Sequence, residues 1–95
     1  MLGIIATLKA KPGSESEFES IMGELAAAVR ANEPDCTFYA LHKGEEEGVY
    51  VMLEQYTSEA AFAAHRETTH FKEIGGKLGG VLGGAPSIQI LQGVD

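Results

Sequence analysis

The 95-residue sequence lacks several features on which whole classes of protein depend. It has no tryptophan and one cysteine, Cys36, so it can form no internal disulfide, and a lone thiol is a poor start for a structural zinc site. It has no run of about eighteen apolar residues, which argues against a membrane-spanning helix. Its short apolar N-terminal run follows no basic segment, so we expect no signal peptide and a cytoplasmic protein.

Positive charge is also scarce. Seven Lys and Arg residues stand against fourteen Asp and Glu residues, which gives a net charge of -7. The average field of such a chain repels phosphate backbones, and only Arg30 and Arg66 offer a guanidinium group. We therefore expect no nucleic-acid partner.

The composition that is present is typical of a globular domain. Apolar residues make up 44% of the chain and charged residues 22%, which argues against a disordered or fibrous protein. A chain of this length holds one core of modest size. We predict a single domain over residues 1–95.

The first half of the chain alternates strand and helix signals. Leu2 to Ala10 places apolar residues at every second position, which predicts a strand. Ser14 and Glu17 have the spacing of a capping box. A helix to about Ala31 should then bury a stripe that recurs at steps of three and four, namely Phe18, Ile21, Met22, Leu25, Ala28 and Val29.

The second half completes a βαββαβ pattern. Thr37 to Lys43 and Val49 to Tyr56 read as two strands joined by a charged hairpin loop. One helix is predicted from Thr57-Ser58 to about Arg66, and a second from Thr68/Thr69 through Leu78. Ser87 to Leu91 is the last predicted strand. This order predicts an α+β, ferredoxin-like plait, in which the helices cover one face of an antiparallel sheet.

The predicted third strand carries large apolar side chains on both faces. Val49, Val51 and Leu53 alternate with Tyr50 and Met52, whereas a sheet with one solvated face should show polar residues on that side. The sheet face opposite the helices should therefore be buried against another surface. Because two-fold dimers are the commonest oligomers, we predict a homodimer.

Glycine pairs recur every four residues in the segment GGKLGGVLGG, Gly75 to Gly84. This segment has neither the sequence nor the position of a phosphate-binding loop. Glycines at this spacing either permit close packing or a frayed helix end, or form a flexible wall that faces a ligand. Both interpretations remain open at this point.

Few titratable residues lie among apolar neighbours. Glu54 ends the third strand, and His65 and His70 lie on the predicted helices that follow. Imidazole is the side chain best suited to accept a proton near neutral pH, and each histidine is also compatible with a purely structural hydrogen bond. No HExxH or similar spacing is present, so we expect no metal site.

The stretch LEQYTSEAAFAAHRETTHF, residues 53–71, resembles the signature of the antibiotic-biosynthesis-monooxygenase family. The resemblance implies a homodimeric α+β barrel and, for some members, cofactor-free oxidation of a phenol or quinol by O₂. It implies that His65 is the base, with His70 as the second choice, and that Glu54 orients it. A small aromatic substrate is then expected against Tyr56, Phe71 and Ile74.

Other activities of this family fit the sequence less well. The haem-degrading branch uses Asn, Trp and His at positions where this chain has Ala6, His65 and Gly75, and the anthrone oxygenases rely on Trp and Asn contacts. The leading expectation is a small-phenol or quinol monooxygenase. The alternatives are a cofactor-free isomerase or lyase, and a non-catalytic stress-response dimer that binds a ligand.

Overall fold

The computed structural model describes residues 1–94, which form an α+β plait with one four-stranded antiparallel sheet. Its elements follow the predicted order. They are β1 (Leu2–Lys9), α1 (Glu15–Asn32), β2 (Cys36–Lys43), β3 (Val49–Tyr56), α2 (Glu59–Glu67), α3 (Thr69–Gly75), a 3-10 helix (Gly76–Gly80) and β4 (Ser87–Gln92). The ferredoxin-like fold is confirmed.

The strands lie in the order β2-β3-β1-β4, so the two edges of the sheet are β2 and β4. Their register aligns Tyr39, Glu54, Ile4 and Ile90 in one row across the sheet. Side chains of one such row point to the same face. Glu54 therefore stands among apolar neighbours on the face that carries the helices.

The long helix α1 builds the main core. Its buried residues are Phe18, Ile21, Met22, Leu25, Ala26 and Val29, which is the predicted stripe with Ala26 in place of Ala28. They pack against apolar residues of β1 and β3, including Ala6, Leu8 and Met52. Burial of this stripe positions the end of α1, and with it Glu33, beside α2 and α3.

Two predicted local features are corrected by the structure. The side chain of Ser14 makes no capping hydrogen bond, and Glu15 Oε1 instead accepts a hydrogen bond from the Gly13 N–H at 2.9 Å. The helix predicted through Leu78 ends at Gly75, and a 3-10 helix continues to Gly80. Glycine pays a large entropy cost in an α-helix, which accounts for this early end.

The opposite face of the sheet is uncovered in a single chain. Val49, Val51 and Leu53 are partly exposed there, and Phe38 and Leu91 are 49% and 43% exposed. The prediction that β3 carries bulk on both faces is therefore confirmed. No helix within residues 1–94 is both long and apolar enough to cross a membrane.

Candidate functional site

A cavity of about 450 Å³ opens between β4, the sheet and the two short helices. Most of its wall is apolar and consists of Ile4, Phe62, Phe71, Pro86, Ile88 and Ile90. Three ionisable side chains, Glu54, His65 and Arg66, also line it. An apolar cavity with a few polar groups is the usual form of a small-molecule site.

Local capping interactions set the position of His65. The Ser58 side chain accepts a hydrogen bond from the Ala61 N–H at 3.1 Å and so begins α2. Thr68 begins α3 by accepting from the Phe71 N–H, and its hydroxyl donates to the carbonyl of His65 at 2.8 Å. These contacts confirm both predicted helix starts. They fix the turn that directs His65 inward.

The ring of His65 is 2% exposed and lies among aromatic side chains. Its centroid is 5.4 Å from those of Tyr39 and Tyr56, and 4.9 Å from that of Phe71. Burial lowers the pKa of His65 below its ordinary value of 6.5, although the attraction of Glu33 opposes this shift. The imidazole is therefore neutral at pH 7.

Glu33 connects the two predicted histidines. Its Oε1 lies 2.9 Å from Nδ1 of His65, and its Oε2 lies 2.5 Å from Nε2 of His70. A carboxylate only accepts hydrogen bonds, so both of these ring nitrogens carry protons. Glu33 is the site residue that the sequence did not reveal, because its position before Pro34 indicated only the end of a helix.

This hydrogen bond fixes which nitrogen of His65 is available as a base. With its proton on Nδ1, the neutral ring has a free electron pair on Nε2. Nε2 has no hydrogen-bond partner within residues 1–94. Every fully buried side-chain nitrogen or oxygen in this part of the chain does have a partner, so Nε2 is not fully buried. Nε2 therefore keeps some accessible surface, and the His65 side chain borders the apolar cavity.

Glu54 has a different partner from the one predicted. The Tyr56 hydroxyl donates to Glu54 Oε1 at 2.6 Å, and Glu33 rather than Glu54 bonds to His65. Burial raises the pKa of Glu54 to about 7. The assignment of Glu54 as the residue that orients His65 is thus wrong, and its carboxyl lies instead on the cavity wall.

The remaining predicted residues divide between the cavity and its support. Phe71 lines the cavity. Tyr56 is fully buried behind it, and Ile74 packs against the α1 core, so neither borders the cavity in the part of the chain described. His70 reaches the site only through Glu33.

A smaller cavity of about 210 Å³ lies on the Glu33 side of His65 and is also bordered by Cys36. Burial raises the pKa of the Cys36 thiol, so this side chain remains protonated. Among residues 1–94, no group of three or more His, Cys, Asp or Glu side chains is arranged to hold a metal ion.

The glycine segment does not border the large cavity. An added Cβ would meet nothing within 4 Å at Gly75, Gly76, Gly79, Gly80 or Gly84, and only Gly83 lies close to the backbone of Lys9 and Ala10. The structure therefore supports a frayed helix end over a wall that faces a ligand.

Comparisons with known proteins agree with this fold. The sequence pattern of the family described as "Antibiotic biosynthesis monooxygenase" matches residues 1–76. The Bacillus subtilis protein named "Putative monooxygenase YcnE" is 38% identical over 72 residues, which are 76% of each chain.

Solved structures extend the likeness to the whole chain. A "putative antibiotic biosynthesis monooxygenase" from Caulobacter crescentus is 44% identical with a TM-score of 0.96, over 99% of this chain and 90% of that one. A Pseudomonas aeruginosa protein is 29% identical with a TM-score of 0.87, over 99% and 94% of the two chains. The chain therefore belongs to the antibiotic biosynthesis monooxygenase family.

Proposed function

We propose that this protein is a monooxygenase that oxidises a small phenol or quinol with O₂, with His65 as the base. One observation carries the proposal: a neutral, buried imidazole borders an apolar cavity, and its hydrogen bond to Glu33 through Nδ1 leaves Nε2 free to act as a base. Membership of a family with monooxygenase names supports the reaction class.

The chemistry begins with proton removal. A phenolate gives up an electron to O₂ far more readily than the neutral phenol does. His65 Nε2 accepts the hydroxyl proton, and the imidazolium so formed is stabilised by its hydrogen bond to Glu33. A substrate ring bound against the apolar wall would displace water from it and so strengthen these electrostatic interactions.

The overall reaction balances without another reductant when the substrate is a quinol. One oxygen atom of O₂ enters the ring and the other leaves as water. The quinol loses four electrons and becomes a hydroxyquinone, and O₂ gains the same four. The base is needed to start electron transfer, and His65 meets that need in this proposal.

The test is oxygen consumption by the purified protein with a panel of substituted hydroquinones. We expect His65→Ala and His65→Asn to lower turnover by roughly 10² to 10⁴, the usual contribution of a positioned general base. The asparagine variant keeps an N–H donor for Glu33, so its fold should survive. Glu47→Gln, in the exposed hairpin loop and away from both the cavity wall and the uncovered sheet face, is the control.

Three other results would contradict the proposal. Unchanged turnover in both His65 variants would remove His65 as the base. Conversion of substrate under argon would indicate an isomerase or lyase that uses His65 and Glu33 for ordinary acid–base chemistry. Absence of turnover with every hydroquinone, together with ligand binding, would indicate a non-catalytic binding protein.

We also propose that the protein is a homodimer joined through the uncovered sheet face. The partly exposed Val51 and Leu53, with Phe38 and Leu91, support it, because several large apolar side chains exposed on one face are unfavourable in water. Sedimentation velocity at micromolar concentration should give twice the mass of the chain. A folded monomer under these conditions would contradict the proposal.

A further inference from the structure

Arg66 gives the large cavity a positive charge that the proposed reaction does not use. Its side chain lines the cavity, and its guanidinium carbon lies 5.8 Å from the ring centroid of Phe62. A guanidinium group at this distance is weakly attracted to the aromatic face, which favours its position beside the cavity. Among residues 1–94, Arg66 is the only Lys or Arg on the cavity wall.

The hydrogen-bonding capacity of Arg66 is free. Lys72 and Lys77 pair with Glu67 and Glu24, and Arg30 donates to the carbonyl of Tyr39. Arg66 makes no ion pair or hydrogen bond with any residue between 1 and 94. Its planar group, with five N–H donors, matches the two oxygens of a carboxylate.

The other ionisable groups of the cavity do not cancel this charge. His65 is neutral at pH 7. Glu54, with a pKa of about 7, carries only part of a negative charge at pH 7, and its Oε1 already accepts the hydrogen bond from the Tyr56 hydroxyl. The ionisable groups that surround Glu54 and His65 on the packed elements are Glu33, Cys36, Tyr39, Tyr56, Arg66 and His70.

We propose that the cavity selects an aromatic substrate that carries a carboxylate, and that Arg66 binds this group. The inference rests on the proposed function, since it concerns the substrate of the same site. Phe62 lies near both polar groups, 6.4 Å from the His65 ring and 5.8 Å from the Arg66 guanidinium. An aromatic ring held against the apolar wall of the cavity would lie within reach of both groups, with its hydroxyl towards His65 and its carboxylate towards Arg66.

The test is calorimetric binding under argon, where no oxidation by O₂ occurs. The probes are 2,5-dihydroxybenzoate and its methyl ester, which differ in charge and little in shape. We expect the wild-type protein to bind the carboxylate at least 10-fold more tightly than the ester. Arg66→Gln should weaken carboxylate binding by roughly 10- to 100-fold, as expected for lost charge-assisted hydrogen bonds, and leave the ester unchanged.

Lys72→Gln is the matched control, because it removes one positive charge from an exposed side chain of the neighbouring helix α3. It should change neither affinity. Equal affinities for the two probes, an equal loss of both in Arg66→Gln, or no binding of either probe at millimolar concentration would overturn the inference.

The outcome is separable from that of the oxidation test. Selective binding of the carboxylate without O₂ consumption would overturn the monooxygenase proposal and keep the role of Arg66. Oxidation of neutral quinols, with no preference for the carboxylate in binding, would support the monooxygenase proposal and overturn the role of Arg66. Arg66 is exposed, so circular dichroism should show an unchanged fold in Arg66→Gln.

Discussion

The two halves of the helix-covered sheet face differ in how completely they are filled. Under α1, Phe18 and Val29 are 0% exposed. At the β4 edge, on the same face, Ile88 and Ile90 are 52% and 53% exposed and border the large cavity. The strands supply apolar residues to both halves, so the difference comes from the helices.

The helix sequences explain this contrast. The stripe of α1 consists mainly of large side chains, whereas α2 is short and rich in alanine, and His65 is its only buried residue. Alanine side chains are too small to reach across to Ile88 and Ile90. The α1 half therefore supplies stability, and the α2 half keeps a cavity into which polar groups can point.

Two phenylalanine substitutions, one in each half, test this difference in packing. Phe18→Ala should lower the free energy of unfolding by about 3–5 kcal/mol, because a fully buried ring leaves a cavity that its neighbours cannot fill. Phe62→Ala, at a partly exposed ring on the cavity wall, should cost only about 1 kcal/mol. Urea denaturation of both variants measures the difference.

Equal losses in the two variants would contradict this prediction, since they would show that the cavity half is packed as tightly as the α1 half. A ligand-binding assay separates the two roles further. Phe62→Ala should weaken binding of an aromatic ligand, whereas a variant that only destabilises the fold should keep its affinity once folded.

The next effect concerns pH and the Glu54 carboxyl on the cavity wall. The pKa of Glu54 is about 7 in the folded protein against an ordinary value of 4.5, because burial disfavours the charged form. The folded protein then binds more protons than the unfolded chain between these values. The contribution of Glu54 to stability is therefore intact below pH 4.5 and is lost as the pH rises to about 7.

Glu54→Gln removes this dependence and can still accept the Tyr56 hydrogen bond. Its stability relative to wild type should increase from pH 4.5 to pH 8, by up to a few kcal/mol, since one unit of pKa shift corresponds to about 1.4 kcal/mol. Glu47→Gln, in the exposed hairpin loop, should show no such trend. Parallel stability–pH curves for wild type and Glu54→Gln would contradict the prediction.

The lowered pKa of His65 has the opposite effect on the pH dependence of stability. Because the folded protein takes up a proton at this ring less readily than the unfolded chain, this contribution is lost as the pH falls below about 6.5. His65 is present in both the wild type and Glu54→Gln. Its effect therefore cancels when the two proteins are compared at each pH.

The periodicity of the sequence was sufficient to predict the fold and the helices that carry His65, but not the hydrogen-bond partner of His65. The stripe of α1 and the caps at Ser58 and Thr68 follow local rules, so they were predictable. The contact between Glu33 and His65 joins residues 32 positions apart, and it exists only because the end of α1 meets the junction of α2 and α3. No local pattern encodes such a meeting, and the family resemblance points to the strand residue Glu54 in place of Glu33.

The smallest expected effect concerns the loosely packed end of the α3 region. Gly76 has helical backbone angles, φ -61° and ψ -24°, and an added Cβ would meet nothing within 4 Å. Gly76→Ala should therefore stabilise the protein by about 0.4–1 kcal/mol, because it restricts the unfolded chain without strain in the folded one.

Gly48→Ala is the contrasting control for this substitution. Gly48 has φ +81°, a left-handed conformation that alanine adopts only with strain, so the same chemical change should destabilise the protein. Amide exchange gives a second measurement: the 76–80 segment should exchange faster than α1 in the wild type and slow down in Gly76→Ala. Exchange as slow as that of α1 in the wild type would mean that this segment is held by contacts a single chain does not show, and the α2–α3 half would then be more rigid than its packing indicates.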